Sequence, residues 1–133
     1  MSIYIDTSAF MALANADDSR HRDAVRAWQE MLASDETLVT CSYVVCETIS
    51  LMHSREGTAT VDRFAADILA AVDIEWVDPA WHQSALTALL VIPGKSGPSL
   101  TDCAGLDLIR RLRITSVFAY DRHFAGQGFR LVG

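Results

Sequence analysis

The chain has 133 residues, which is the size of one domain and enough to bury roughly two-thirds of the surface that the unfolded chain exposes. Half of its residues are hydrophobic, and 11 basic and 17 acidic residues give a formal net charge of −6. This balance excludes a broadly basic nucleic-acid-binding protein, but it allows a site in which carboxylates hold a metal ion. We therefore expect one domain spanning residues 1–133.

The three cysteines, Cys41, Cys46 and Cys103, cannot all pair with one another, and their neighbours are apolar. They are typical of reduced core thiols, and without a histidine cluster beside them they do not indicate a zinc site. The sequence shows neither a secretory signal nor a stretch approaching the ~20 apolar residues of a membrane span. These features predict a cytoplasmic protein with no membrane partner.

Short runs rich in Ile, Val, Thr and aromatic residues alternate with longer stretches of helical periodicity. The predicted strands are 2–5, 37–41, 73–77, 115–120 and 129–132. The predicted helices are 8–15, 20–34, 43–55, 58–71, 79–91 and 100–113. Because strands separated by helices need crossover connections, this order predicts an α/β protein whose central parallel sheet of about five strands is covered on both faces by helices.

Periodicity also predicts which parts of these elements are buried. The apolar face of the second predicted helix consists of Ala24, Ala27, Trp28, Met31 and Leu32. The segments 15–19 and 92–98 are rich in turn-forming residues and are expected to be exposed loops, the second of them free to rest over a site. The last strand is expected at an edge of the sheet.

Four carboxylates, Asp6, Glu47, Asp102 and Asp121, stand among apolar residues or next to predicted strands. Asp6 and Asp121 directly follow the first and fourth predicted strands. The helices that carry Glu47 and Asp102 begin at the same edge of the sheet. Ligands of open parallel sheets bind at this carboxyl edge, where the strand order reverses. We therefore expect the four acids to meet there if the first and fourth strands are neighbours.

Each acid also has a purely structural interpretation. Asp6 could cap the first helix, and Asp121 could cap the turn that follows it. Ser99 and Asp102 have the spacing of a capping box. Glu47 could be a solvated helix residue. The joint placement of four acids at one edge is harder to obtain from capping alone, and it favours a shared site.

Carboxylates without a nearby cluster of thiols or imidazoles favour Mg²⁺ or Mn²⁺ over zinc. One or two such ions can bridge a scissile phosphate and activate water. Thr7, Ser99 and Thr101 offer hydroxyls that could orient the ligands or contact phosphate. The candidate phosphate contacts, which could equally be solvated surface residues, are Arg20, Arg22, Arg26 and Arg122. The four histidines are scattered along the chain, and no general-base role is assigned to any of them.

Motifs along essentially the whole chain resemble those of the PIN-domain nucleases, particularly the VapC-type toxins of bacterial toxin–antitoxin pairs. Residues 5–13 are similar to the first motif of the family, and Glu47 fits the acid of its third helix. Residues 99–102 match its Ser/Thr-x-x-Asp signature, and residues 120–124 match its terminal Asp-x-x-Phe. Asp18 and His21 resemble the approach to its second helix.

The resemblance implies a three-layer α/β/α PIN-like fold and an endoribonuclease that hydrolyses RNA phosphodiester bonds with a metal-activated water. Asp6, Glu47 and Asp102 would bind the principal Mg²⁺ or Mn²⁺ ion, and Asp121 would share or water-bridge a second. The resemblance also implies a cognate VapB-type antitoxin and a homodimer. One departure is Ala119, since the family often has Thr or Ser two residues before the last acid.

Two other functions are compatible with an acidic sheet edge. A receiver-like phosphoacceptor domain would need a lysine at the end of a late strand, whereas the only lysine, Lys95, lies in a predicted loop. A non-catalytic interaction module would bind a basic peptide in the acidic groove and would show no metal-dependent turnover.

Overall fold

The structure, a computed structural model, describes residues 1–124 and 126–133, which form five strands, six α-helices and two short 3₁₀ turns. The strands are β1 (Ser2–Ile5), β2 (Thr37–Cys41), β3 (Asp73–Glu75), β4 (Ser116–Phe118) and β5 (Arg130–Val132). The helices are α1 (Thr7–Ala14), α2 (His21–Ala33), α3 (Ser42–Glu56), α4 (Thr58–Asp67), α5 (Pro79–Leu90) and α6 (Leu100–Arg111). The 3₁₀ turns are Leu69–Ala71 and Arg122–Phe124. None of the described helices is both long and apolar enough to span a membrane.

The five strands form one parallel sheet in the order β3-β2-β1-β4-β5. The chain builds outward from β1 on one side and then crosses to the other side, so the strand order reverses between β1 and β4. Tyr4 is paired with Val39 on one side and Val117 on the other, and all three residues are buried. The predicted α/β/α fold is confirmed, and β5 is the expected edge strand.

Three predicted details are wrong. The predicted helix 58–71 ends at Asp67, because the chain tightens into a 3₁₀ turn, and Ile68 before this turn and Leu69 within it pack against the core. Strands β3 and β4 end earlier than predicted, so Asp121 follows β4 by three residues rather than directly. On α2, Leu32 is 51% exposed, because the buried stripe contains only Ala24, Ala27, Trp28 and Met31.

The position of α6 against the sheet depends on Gly105. A Cβ atom at this residue would lie 2.2 Å from the Oη atom of Tyr4, whose side chain is fully buried in β1. The absence of a side chain at Gly105 therefore lets α6 approach β1 closely. Because Asp102 lies one turn earlier on α6, this contact also sets the distance between Asp102 and the end of β1.

We predict that Gly105→Ala lowers the free energy of unfolding by roughly 1–3 kcal/mol, because the clash with Tyr4 outweighs the higher helix propensity of alanine. Tyr4→Phe removes the closest clashing atom and should restore part of this loss in the double variant. Urea denaturation of wild type, both single variants and the double variant measures the coupling between the two sites. Strictly additive effects would contradict the proposed close approach.

Candidate active site

A cleft of about 410 Å³ opens where the carboxyl ends of β1 and β4 meet. The four predicted carboxylates line it: Asp6, Glu47, Asp102 and Asp121. Asp6 follows β1, and Asp121 lies just beyond β4. Glu47 comes from the second turn of α3, and Asp102 from the first turn of α6. The topology thus brings together acids that are far apart in the sequence.

Asp6 is fixed by the residues that begin α1. Its Oδ2 atom accepts hydrogen bonds from the Ser8 backbone N–H at 3.2 Å and from the Ser8 hydroxyl at 2.8 Å. The Ser8 hydroxyl oxygen in turn accepts a hydrogen bond from the Tyr120 backbone N–H at 2.9 Å. Asp6 N–H also donates to the Phe118 carbonyl at 3.0 Å. These bonds tie Asp6 to the segment that carries Asp121.

Asp6 is 4% exposed. Burial raises its pKa to about 6, and the negative charge of Asp102 adds to this effect. The hydrogen bonds from Ser8 and Thr7 lower the pKa but only partly offset burial. Ionised Asp6 is therefore destabilised in the folded protein, and a nearby positive charge would relieve this cost.

Asp102 and Asp121 are also fixed by backbone donors. Asp102 Oδ2 accepts the Ser99 N–H at 3.0 Å, and the Ser99 hydroxyl accepts the Asp102 N–H at 3.1 Å, which completes a capping box. Asp121 Oδ1 accepts the His123 N–H at 2.9 Å. The capping interpretations of these acids are therefore correct, but they do not compete with a site. Each cap uses one carboxylate oxygen, and among the described residues the other oxygen accepts no hydrogen bond.

His123 lies between two of the acids. Its Nδ1 atom is 2.8 Å from Asp121 Oδ1 and 3.1 Å from Asp102 Oδ2, yet neither contact has the angle of a hydrogen bond. One donor atom from each of these three residues lies within 4.8 Å of the other two. Asp6 and Glu47 line the cleft outside this tight group. The sequence analysis gave His123 no role, although its position two residues after Asp121 was a usable signal.

The residues around the cleft fit a divalent cation. Within residues 1–124 and 126–133, none of the four acids forms an ion pair with Arg or Lys. The Thr7 Oγ1 and His123 Nδ1 atoms are buried and lack hydrogen-bond partners in the described part of the chain. The first turns of α1 and α6 both begin at the cleft, and their N-terminal partial charges compensate only part of a concentrated negative charge. Carboxylate oxygens in this setting are the donors that Mg²⁺ and Mn²⁺ prefer.

The hydroxyl candidates divide into two groups. Thr7 and Ser99 line the cleft, whereas Thr101 does not. Thr7 is nearly buried beside Asp6, and Ser99 is held by its capping box with Asp102. Of the three hydroxyl candidates, only Thr7 and Ser99 are therefore placed to contact a ligand.

The arginine candidates also divide. Arg20 lines the cleft, and its guanidinium lies 4.9 Å from the centre of the Tyr120 ring. Arg22, Arg26 and Arg122 do not line it. The Arg26 guanidinium instead lies 3.4 Å from Asp23 in an exposed pair. The structure therefore brings one of the four predicted arginines to the site.

A further arginine was missed by sequence analysis. Glu47, Leu51 and Arg55 are spaced by four residues on α3, and all three line the cleft. Residues four apart lie on the same side of a helix, so the position of Glu47 could have indicated Arg55. The described chain thus places two arginines, Arg20 and Arg55, around the four acids.

Comparison with known proteins defines the class. The model of the PIN domain family matches residues 3–129. The 23S rRNA-specific endonuclease VapC20 of Mycobacterium tuberculosis is 30% identical over 128 residues, covering 96% of this chain and 95% of that protein. The crystal structure of VapC20, described as a toxin that cleaves the sarcin–ricin loop, matches with a TM-score of 0.82 at 29% identity, over 96% of this chain and 95% of that one.

The fold alone is also shared with VapBC2 from Rickettsia felis, solved with a fragment of promoter DNA. That match has a TM-score of 0.68 at 14% identity and covers 98% of this chain and 97% of that one.

The chain belongs to the PIN-domain family. The resemblance to VapC-type nucleases, which the motifs had indicated, is confirmed.

We predict that Asp6 makes the metal-free protein less stable as pH rises from 4 to 7. Because the folded pKa of about 6 lies above the ordinary value of 3.8, its contribution to stability is full below pH 3.8 and is lost as pH rises through 6. The difference corresponds to roughly 3 kcal/mol. Asp6→Asn should therefore be the more stable protein at pH 7, and its advantage should shrink below about pH 5.

Urea denaturation of both proteins, stripped of metal, at several pH values measures this difference. Asn retains an acceptor for the Ser8 hydrogen bonds, so the cap is largely preserved in the variant. A stability difference between wild type and variant that does not change with pH would show that Asp6 is not the titrating group.

Proposed function

We propose that this PIN-domain protein is a metal-dependent endoribonuclease that acts as the toxin of a VapBC-type toxin–antitoxin pair. The observation that carries the proposal is the convergence of four acids in one cleft without an ion pair to Arg or Lys among the described residues. The relationship to VapC20 over nearly the full length of both chains supports the same activity.

The site would hold Mg²⁺ or Mn²⁺, with Asp6, Glu47 and Asp102 around the principal ion and Asp121 towards a second position. A divalent cation supplies a Lewis acid that activates water and neutralises charge on the scissile phosphate. The protein holds the carboxylates in place beforehand, since Asp6, Asp102 and Asp121 are each oriented by a backbone N–H donor. Little reorganisation is then needed when the substrate binds.

The positively charged groups of the chain bind the RNA backbone on either side of the acids. Arg20, the residue before α2, and Arg55, on α3, both line the cleft and can contact phosphates that flank the scissile bond. Stacking against Tyr120 orients the Arg20 guanidinium. Thr7 and Ser99 offer hydroxyl groups close to Asp6 and Asp102. Because water is the nucleophile in this scheme, the 2′-hydroxyl of the RNA is not required.

Ribosomal RNA is the substrate class that we propose. VapC20 is named as specific for 23S rRNA, and the similarity extends over 96% of this chain. A structured RNA loop suits an open cleft that is lined by side chains from five different segments, since RNA recognition depends on shape as well as on base identity.

The proposed partner is a VapB-type antitoxin that presents a basic side chain to the acidic cleft. An arginine or lysine placed there would offset the buried charge of Asp6 and would exclude the cation. We also propose that the protein is a homodimer and works in the cytoplasm, where RNA is present and where the free thiols Cys41, Cys46 and Cys103 stay reduced.

The two alternative functions lead to different expectations. Lys95 is exposed between α5 and α6 and does not line the cleft, which disfavours a receiver-like phosphoacceptor site. A non-catalytic interaction module would bind a basic peptide in the same cleft, but it would not turn over RNA when Mg²⁺ or Mn²⁺ is added.

We predict that the purified protein cleaves ribosomal RNA with Mg²⁺ or Mn²⁺ and loses this activity in EDTA. Asp6→Asn, Asp102→Asn and Glu47→Gln should each reduce the cleavage rate by at least ~10²-fold, as expected for loss of a major electrostatic group. Asp73→Asn, on an exposed position of β3 outside the cleft, is the matched control and should retain activity. Cleavage that persists at a site with a 2′-deoxyribose would support water as the nucleophile.

Activity that survives chelation, or that survives the Asp6 and Asp102 substitutions, would contradict the metal-dependent mechanism. Binding of RNA or a basic peptide without any turnover would favour the interaction module instead.

We predict that Arg20 and Arg55 bind RNA phosphates. In the Asp102→Asn background, Arg20→Gln or Arg55→Gln should weaken binding of single-stranded RNA and reduce the slope of log K against log salt by ~0.7 each. Arg22→Gln and Arg26→Gln, which alter arginines outside the cleft, are the controls. Fluorescence anisotropy at several salt concentrations gives the slopes. If substitutions inside and outside the cleft had equal effects, the slopes would reflect the net charge of the protein and not phosphate contacts of Arg20 and Arg55.

A further inference from the structure

We infer that the Nδ1 atom of His123 is a ligand of the cation at the second position, together with Asp102 and Asp121, and that this nitrogen makes that position prefer Mn²⁺ over Mg²⁺. The inference rests on the proposed function, because it concerns the ion that the nuclease would use. It adds a ligand that is not an acid and that stands at one of the two unspecified positions of the terminal Asp-x-x-Phe motif.

The distances around His123 match those between adjacent ligands of one ion. Two neighbouring ligands of an octahedral ion at about 2.1 Å from the metal lie about 3.0 Å apart. His123 Nδ1 lies 2.8 Å from Asp121 Oδ1 and 3.1 Å from Asp102 Oδ2. A hydrogen bond would explain the same distances, but neither contact has the required angle.

The Nδ1 atom of His123 is buried, although part of the imidazole ring is exposed. The His123 side chain is 37% exposed, whereas its Nδ1 atom is buried and without a hydrogen-bond partner among the described residues. A buried ring nitrogen without a partner is costly, and a histidine free to turn would expose it to water. This nitrogen therefore lacks a partner that a cation would supply.

The backbone holds His123 in this position. Its N–H donates to Asp121 Oδ1 at 2.9 Å, and the next residue, Phe124, is 1% exposed. The Phe124 ring lies 6.0 Å from that of Tyr4 in β1 and anchors the 3₁₀ turn to the core. The backbone N–H of His123 and the residue that follows it are thus fixed, which limits the movement of the imidazole away from the two carboxylates.

A nitrogen ligand changes the choice of ion. Mg²⁺ is a hard cation that takes oxygen ligands and keeps several waters. Imidazole favours transition-metal ions, and Mn²⁺ accepts both carboxylate oxygen and imidazole nitrogen. Two carboxylates and one imidazole therefore favour Mn²⁺ over Mg²⁺, whereas a carboxylate at position 123 would shift the preference towards Mg²⁺.

The test is pulsed electron paramagnetic resonance of the Mn²⁺ complex of the full chain. Wild type should show echo modulation from a directly coordinated nitrogen. His123→Asn and His123→Asp should still bind Mn²⁺ through the carboxylates but lack this modulation. Competition with Mg²⁺ should show that the preference for Mn²⁺ falls by at least ~10-fold in His123→Asp.

His53→Asp is the matched control, because it makes the same change of residue at an exposed position of α3 outside the cleft. It should keep both the nitrogen modulation and the ion preference. Mn²⁺ bound to wild type in an Asp102-dependent manner, but without nitrogen modulation, would overturn the role of His123 and leave the proposed function intact. If the wild type bound neither Mn²⁺ nor Mg²⁺, the role of His123 and the proposed metal-dependent function would both be contradicted. The wild-type spectrum decides the question even if a variant fails to fold.

Discussion

The site depends on three carboxylates, those of Asp6, Asp102 and Asp121, which line the cleft and are each held through one oxygen by a backbone N–H. Asp6 shows how this constraint connects the fold. Its Oδ2 atom is bound by Ser8, whose hydroxyl also accepts the Tyr120 N–H beyond β4. Since β1 and β4 are the two strands between which the order reverses, this one hydroxyl joins both sides of the switch point. The local caps and the long-range site are therefore one structure rather than two competing explanations.

The same arrangement makes the site costly for the folded chain. Asp6 is buried, and both burial and the charge of Asp102 raise its pKa. The described residues provide no arginine or lysine partner for these acids, and Arg20 and Arg55 stand at the walls. If function imposed no constraint, replacing one of these acids by a neutral residue would make the folded protein more stable. Because the described residues offset this charge only in part, a cation, a phosphate-bound cation or a basic side chain of a partner is the favoured occupant of the cleft.

Sequence periodicity was sufficient for the order of elements and for the edge at which the acids lie. It predicted that Glu47 and Asp102 would meet Asp6, because strand and helix directions follow from a parallel sheet. It could not give the directions of single side chains. Leu32 lies at the margin of an apolar stripe, and small changes in helix rotation decide its exposure. The spacing of His123 from Asp121 was a usable signal, but periodicity does not show the short 3₁₀ turn that brings its Nδ1 atom close to two acids.

The departure at Ala119 bears on the proposed second ion position. Ala119 is 4% exposed, so a hydroxyl there would itself need a buried partner. The adjacent Tyr120 N–H is already satisfied by Ser8, and the side of the cleft beyond β4 is instead furnished by Asp121 and His123. The hydroxyl that the family often has two residues before the last acid is thus missing, whereas the imidazole of His123 lies two residues after that acid. An imidazole is a stronger ligand for Mn²⁺ than an alcohol, so this exchange of positions would alter which ion is bound rather than remove the binding site.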